Sequence, residues 1–89
     1  MINQILIREF GQRIKNLRTD RKISQEELSF LTGFHRTYIG MIERGERNIS
    51  LSNIAVFAKA FEMTVSELLS LDTVNLKHSF KDYQTKIEG

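Results

Sequence analysis

Apolar residues recur along this chain at intervals of three and four, and alternating strand-like stretches are nearly absent, so the pattern predicts helices throughout. Ile7, Phe10, Ile14 and Leu17 form the stripe of a first helix running from Asn3 to Lys22. Ser24 is placed to cap a second helix, and Glu27, three residues on, completes a capping box. Leu28 and Leu31 are its inward residues, with Ser29 small enough for close helix approach. Gly33 supplies the left-handed turn that ends it, and Phe34 is placed to plug the gap to the next helix. A third helix follows from Arg36 to Arg44, capped by His35 and stopped by Gly45. A fourth begins after Ser50 and buries Ile54, Phe57, Ala58 and Phe61. Thr64 and Glu67 repeat the capping box for a fifth, whose apolar side is Val65, Leu68 and Leu69.

The expectation is an all-α domain of five helices over residues 1–71, followed by a tail, 72–89. In the tail Leu76, Phe80, Tyr83 and Ile87 recur at helical spacing, which suits a sixth amphipathic helix capped by Asn75 or, alternatively, a frayed terminus. No internal repeat or linker is evident.

Eighty-nine residues make one small domain, with a core modest enough that a second copy would help it. There is no cysteine, and His35 and His78 are isolated, so neither disulfides nor a metal site is expected. No apolar run approaches the ~20 residues of a membrane span, and the N-terminus lacks a signal-peptide core. A soluble cytoplasmic protein, with no membrane partner, follows as the expectation. Net charge is +2, but unevenly spread. From Arg8 to Asn48 nine Lys/Arg face six Asp/Glu; from Ile49 onward four Lys face five Asp/Glu. The basic excess suits nucleic acid and equally suits an ordinary solvated surface. No general acid–base pair, Walker-type loop or Gly-x-Gly-x-x-Gly run appears, so neither an enzyme nor a cofactor is expected.

The third helix carries the informative chemistry. On a helical wheel Arg36, Gly40, Arg44, Thr37 and Met41 fall within about 140° of each other, while Ile39 and Ile42 lie on the opposite side. Tyr38 sits on the boundary. The outward face therefore offers two guanidinium groups, a hydroxyl, a thioether and bare backbone at Gly40. A DNA major groove admits one such helix, where arginine grips guanine O6 and N7 and threonine or methionine meets a base edge or methyl. A solvated helix surface is the bland alternative. The flanks favour DNA: Ser24 and Gln25 start the second helix, whose free N–H groups suit a phosphate, and Arg47 and Asn48 follow the third helix within reach of the backbone.

The pieces SQEEL (Ser24–Leu28), Gly33, HRTYI (His35–Ile39) and IERG (Ile42–Gly45), followed by NISLSNI, resemble the helix-turn-helix of the Cro/cI-like (XRE-type) repressor family, over roughly Phe10 to Leu69. Within it, HRTYI followed by IERGERNIS is similar to the controller proteins of restriction–modification systems. The resemblance implies a Cro/cI repressor-like domain with its helix-turn-helix at 24–45. It implies a phosphate contact at Gln25, base reading by Arg36, Thr37 and Met41, and positions near the backbone or groove edge for Tyr38 and Arg44. It also implies an internal Arg18–Glu43 ion pair. Lys22 departs from the family's frequent glycine, so a left-handed conformation there would cost about 1 kcal/mol. Ser29 stands for the usual alanine, tolerable if its hydroxyl bonds back within the helix. Phe30 should be exposed, and Met41 replaces a frequent polar reader.

Family members usually bind two half-sites about 34 Å apart as dimers. Met63, Val65, Leu68 and Leu71 form an apolar set larger than one small core needs, and a homodimer through them is expected, with Phe80 and Tyr83 as possible additions from the tail. The implied function is occupancy of a pseudo-palindromic double-stranded DNA operator, blocking or recruiting RNA polymerase. No ligand domain is visible, so no small-molecule effector is expected. An antitoxin, a phage-type repressor or a protein-interaction module would use the same fold.

Overall fold

In the computed structural model, which describes residues 2–71, the capping residues set the helix boundaries. The chain forms α1 (Ile2–Asp20), α2 (Gln25–Thr32), α3 (Arg36–Glu43), α4 (Leu51–Ala60) and α5 (Val65–Leu68). The expected sixth helix, and with it Phe80 and Tyr83, falls outside the described residues. Ser24 and Thr64 each accept the backbone N–H of the glutamate three residues on, and Glu27 and Glu67 return the bond, so both capping boxes close. Ser50 caps α4 through the N–H of Asn53.

The α1 helix stops two residues before the predicted end. The Lys22 N–H bonds to the Thr19 carbonyl at 3.0 Å and that of Ile23 to Arg18 at 3.1 Å, with Lys22 left-handed at φ 57°. That pairing is a Schellman terminus, which reverses the chain while satisfying the last carbonyls. The end of α4 is built the same way, with Glu62 also at φ 57° and the Met63 N–H on Ala58 at 2.8 Å. Each terminus is followed by an apolar residue, a hydroxyl cap, a glutamate and a buried leucine: Ile23, Ser24, Glu27, Leu28 and Met63, Thr64, Glu67, Leu68. One structural device therefore serves both junctions, although the sequence shows no obvious repeat.

The core comprises Phe10, Ile14, Leu17, Leu28, Ile39, Ile42, Phe57, Ala58, Phe61 and Leu68. Phe57 is its centre: Phe10 meets it edge-on at 6.2 Å and Phe34 tilts against it at 5.2 Å. Phe34 thus plugs the α2–α3 turn as the sequence suggests. That leaves no inward place for Leu31, which is 58% exposed; the Gly33 cap turns the chain one residue after Thr32, and Leu28 alone is buried from α2. The Ser29 hydroxyl also differs from expectation, bonding across the turn to the Phe34 carbonyl, and it is Thr32 that bonds back to Leu28 at 2.8 Å. Phe30 is exposed as anticipated.

Gly11 decides how closely α1 approaches α3. A Cβ there would sit 2.1 Å from the Ile42 carbonyl oxygen and 2.9 Å from that of Glu43. Two arginines tie helices from opposite ends of the chain: Arg13 donates to the carbonyls of Leu68 (3.1 Å) and Glu67 (2.9 Å), and Arg21 reaches the Phe61 carbonyl and lies over its ring. Both satisfy helix C-termini that the sequence leaves open.

Candidate nucleic-acid interface

The second and third helices bracket one tight turn, and α3 is packed between α1 and α2 by its apolar side, Ile39 and Ile42. His35 caps α3 by accepting the Thr37 N–H on Nδ1 at 3.1 Å, so its role is structural. Arg36 and Thr37 stand exposed in the first turn. Met41 is half-buried one turn later, so it presents only part of its side chain. Gly40 is buried, not bare: the Arg44 guanidinium folds back over it, with Nη1 3.0 Å from where a Cβ would be, and Gln25 borders the same spot.

An internal network of charge holds this helix. Glu43, whose side chain is 3% exposed, accepts Arg18 Nε at 2.7 Å and Nη2 at 3.0 Å, and also Gln25 Nε2 at 3.1 Å. Arg18 Nη1 goes on to the Ile23 carbonyl at 3.0 Å. The predicted ion pair is present, and it joins α1, the α1–α2 turn, α2 and α3. The hydrogen bonds to Glu43 raise the Arg18 pKa above its ordinary value, so this guanidinium is always charged. Among the described residues no buried side-chain nitrogen or oxygen lacks a partner. Gln25 was expected only as a phosphate ligand. Here one amide hydrogen serves Glu43, and the other has no acceptor among the described residues.

The flank beyond α3 is also braced. Tyr38 packs edge-on against Phe34 at 5.1 Å, its hydroxyl accepts Asn53 Nδ2 at 3.0 Å, and the Arg47 guanidinium lies 5.8 Å from its ring centre. The hydroxyl hydrogen of Tyr38 has no acceptor among the described residues. Asn48 is exposed and accepts the Ile49 N–H at 2.9 Å. Arg44 forms a two-pronged ion pair with Glu46, Nε to Oε2 at 2.9 Å and Nη2 to Oε1 at 3.1 Å. Arg44 holds the Glu46 carboxyl below the usual carboxylate range. At the N-terminus of α2 the Ser24 hydroxyl oxygen is engaged in capping, which leaves its hydrogen to donate.

Arg36, Thr37, Arg44 and part of Met41 thus share the outward side of α3, flanked by Ser24 and Gln25 on one side and Tyr38, Arg47 and Asn48 on the other. The roles of Asn53, Glu46 and Gly11 were not anticipated. Asn53 lies fifteen positions from Tyr38, and Gly11 meets carbonyls on α3, so neither carries a local signal. The Arg44–Glu46 spacing is outside the three- and four-residue pairing of a helix.

The dimer set needs one correction. Leu68 is fully buried in the monomer core and cannot meet a second copy. Met63 and Val65 are partly buried against that core. Leu71 borders an apolar groove of about 310 Å³ with Leu6, Ile7, Phe10, Ile49, Ile54 and Leu69. Among the described residues no helix is long and apolar enough to cross a membrane, and no cluster of His, Cys, Asp or Glu could hold a metal.

Residues 14–68 match the HTH_3 helix-turn-helix family. The chain is 44% identical over 66 residues to the control protein C.BamHI of Bacillus amyloliquefaciens, covering 73% of this chain and 82% of that protein. It superposes on the restriction–modification controller protein C.AhdI from Aeromonas hydrophila with a TM-score of 0.67 and 48% identity, over 72% of this chain and 96% of that one. The restriction–modification controller protein C.Esp1396I, solved as a tetramer with its natural 35-base-pair operator, gives a TM-score of 0.66 at 30% identity, over 72% of this chain and 88% of that one. With the capped α2–turn–α3 unit and its polar outward face already in place, these matches establish that the chain belongs to the HTH_3 helix-turn-helix family of DNA-binding transcriptional regulators, which are not enzymes.

Proposed function

We propose that this protein is a restriction–modification controller that binds a pseudo-palindromic operator as a homodimer. The observation that carries this reading is the first turn of α3, where Arg36 and Thr37 are exposed on a helix held rigid by the Arg18–Glu43–Gln25 network. A helix already fixed against α1 and α2 needs no reordering of its backbone on binding, so less of the contact energy is lost. Arg36 grips a guanine, Thr37 meets an adjacent base edge or methyl, Arg44 works at the groove edge, and Met41 adds an apolar contact where it is accessible. Ser24, Gln25, Tyr38, Arg47 and Asn48 hold phosphates on either side and set the register. The similarity to control proteins and to an operator-bound controller tetramer supports this assignment.

The two-fold contact is made by the C-terminal surface, with Met63, Val65 and Leu71 as the starting set and Leu69, 37% exposed beside Leu71, added to it. Such a dimer presents two copies of α3 to successive turns of one DNA face. Regulation is by occupancy in the cytoplasm, blocking or recruiting RNA polymerase according to where the operator lies.

Selection of binding sites from a random duplex pool tests the reading directly. A two-fold symmetric site with half-sites about one helical turn apart is expected. Arg36→Ala should cost about 1–3 kcal/mol at one guanine and relax selection there, whereas Gln25→Ala or Arg47→Ala should weaken all sequences alike. Recovery of no enriched sequence, or unchanged discrimination by Arg36→Ala, would overturn it.

A further inference from the structure

We propose that Glu46 is an intramolecular competitor for DNA: its carboxylate occupies the two-pronged edge of Arg44 that a phosphate or guanine would take, and DNA must displace it. This rests on the reading of the α3 face as the DNA-binding surface. The geometry is specific. Nε and Nη2 of Arg44 meet the two Glu46 oxygens at 2.9 and 3.1 Å, the fork that arginine also presents to phosphate and to guanine O6 and N7. The turn at Gly45, where φ is 71°, brings residues 44 and 46 together although they are only two apart. The absence of a side chain at Gly40 leaves room for the guanidinium, whose Nη1 lies 3.0 Å from where a Cβ would be. Arg44 is therefore folded back on its own helix in the free protein, and its charge is answered locally.

Both partners are more than half exposed, at 58% and 52% of their side-chain surface, so the pair is weak enough to exchange. When Arg44 turns to DNA, Glu46 is left unpaired beside a polyanion. Both effects oppose binding, and only the first depends on Arg44. The device keeps one arginine of the reading face from adding fully to indiscriminate affinity, which favours discrimination over raw attraction.

A double-mutant cycle separates this role from simple repulsion. Full-length wild type, Glu46→Gln, Arg44→Gln and the double variant are titrated by fluorescence anisotropy against a labelled mixed-sequence duplex and against the duplex recovered by selection. Unchanged thermal unfolding confirms that each variant is folded. Arg44→Gln alone should weaken binding. Glu46→Gln should tighten binding more with Arg44 present than without it, by a further factor of about two to five. Equal tightening in both backgrounds would mean repulsion alone and overturn the proposal. Weaker binding by Glu46→Gln with Arg44 present would also overturn it, making Glu46 a support for Arg44 in the complex. If wild type bound neither duplex, the DNA-binding reading itself would fall.

Discussion

Gly11→Ala sets two well-defined effects against each other. In a helix interior alanine is favoured over glycine by about 1 kcal/mol, so helix propensity alone predicts stabilisation. The structure predicts the reverse. The new Cβ would lie 2.1 Å from the Ile42 carbonyl oxygen and 2.9 Å from that of Glu43, whereas ordinary contact begins near 3.4 Å. Both obstacles are backbone atoms of α3, so no side-chain rotation relieves them, and α1 must retreat by roughly an ångström along the seam that carries Phe10, Ile14 and Ile42. Overpacking of this kind typically costs about 1–3 kcal/mol and more where the backbone has to move. With two backbone atoms in the way the cost lies at the upper end, about 3 kcal/mol, so after the propensity gain of about 1 kcal/mol a net loss of about 2 kcal/mol is expected. In a domain of this size that lowers Tm by about 8–16 °C. Thermal unfolding followed by helical ellipticity checks it, at one fixed protein concentration because a dimer's Tm depends on concentration. A variant that melts at or above the wild-type temperature would refute the close-approach argument. DNA affinity offers a second readout, since the displaced atoms belong to α3.

Glu43→Gln should destabilise by about 2–3 kcal/mol, because it leaves the mostly buried Arg18 guanidinium without its counter-charge, and urea unfolding should show a lower midpoint with an unchanged slope. Lys22→Gly and Glu62→Gly should each stabilise by about 0.5–1 kcal/mol, since both residues are left-handed at φ 57°, and the gains should add in the double variant as the sites share no partner. Loss of stability in either would mean that the side chain contributes more than its backbone strain costs. Leu69→Asp should shift sedimentation toward monomer with little change in the monomer fold, whereas Leu68→Asp should unfold the protein because that side chain is fully buried. A dimer unaffected by Leu69→Asp would place the two-fold contact elsewhere.

The existence and order of the five described helices follow from local information. Capping boxes at Ser24–Glu27 and Thr64–Glu67, the glycine stop at Gly33 and the apolar spacing of α1, α3 and α4 each act within a few residues of chain, and they reappear in the structure. The outward face of α3 was legible for the same reason: once the helix is given, 100° per residue decides which side chains share a side. Arg36 and Thr37 required nothing further. The strain at Lys22 came instead from the resemblance, which places a glycine at that helix stop, and the left-handed φ of 57° bears it out.

What the tertiary structure alone decided concerns partners distant in sequence. Leu31 and Leu68 are the same residue type at helical positions read as inward, yet one is exposed and the other fully buried. Phe34 packs against Phe57 beyond the α2–α3 turn, while α5 packs on α4 and its last carbonyls are held by Arg13 from α1. Gly11 serves a helix about thirty positions away, Asn53 braces Tyr38, and Gln25 divides its amide between Glu43 and solvent. Glu46 is close in sequence to Arg44, but only the left-handed turn at Gly45 brings their charges together. The helical pattern of a sequence thus determines which face each helix offers. How far that face is covered, and which of its charges are already answered, depends on packing between segments that no local spacing encodes.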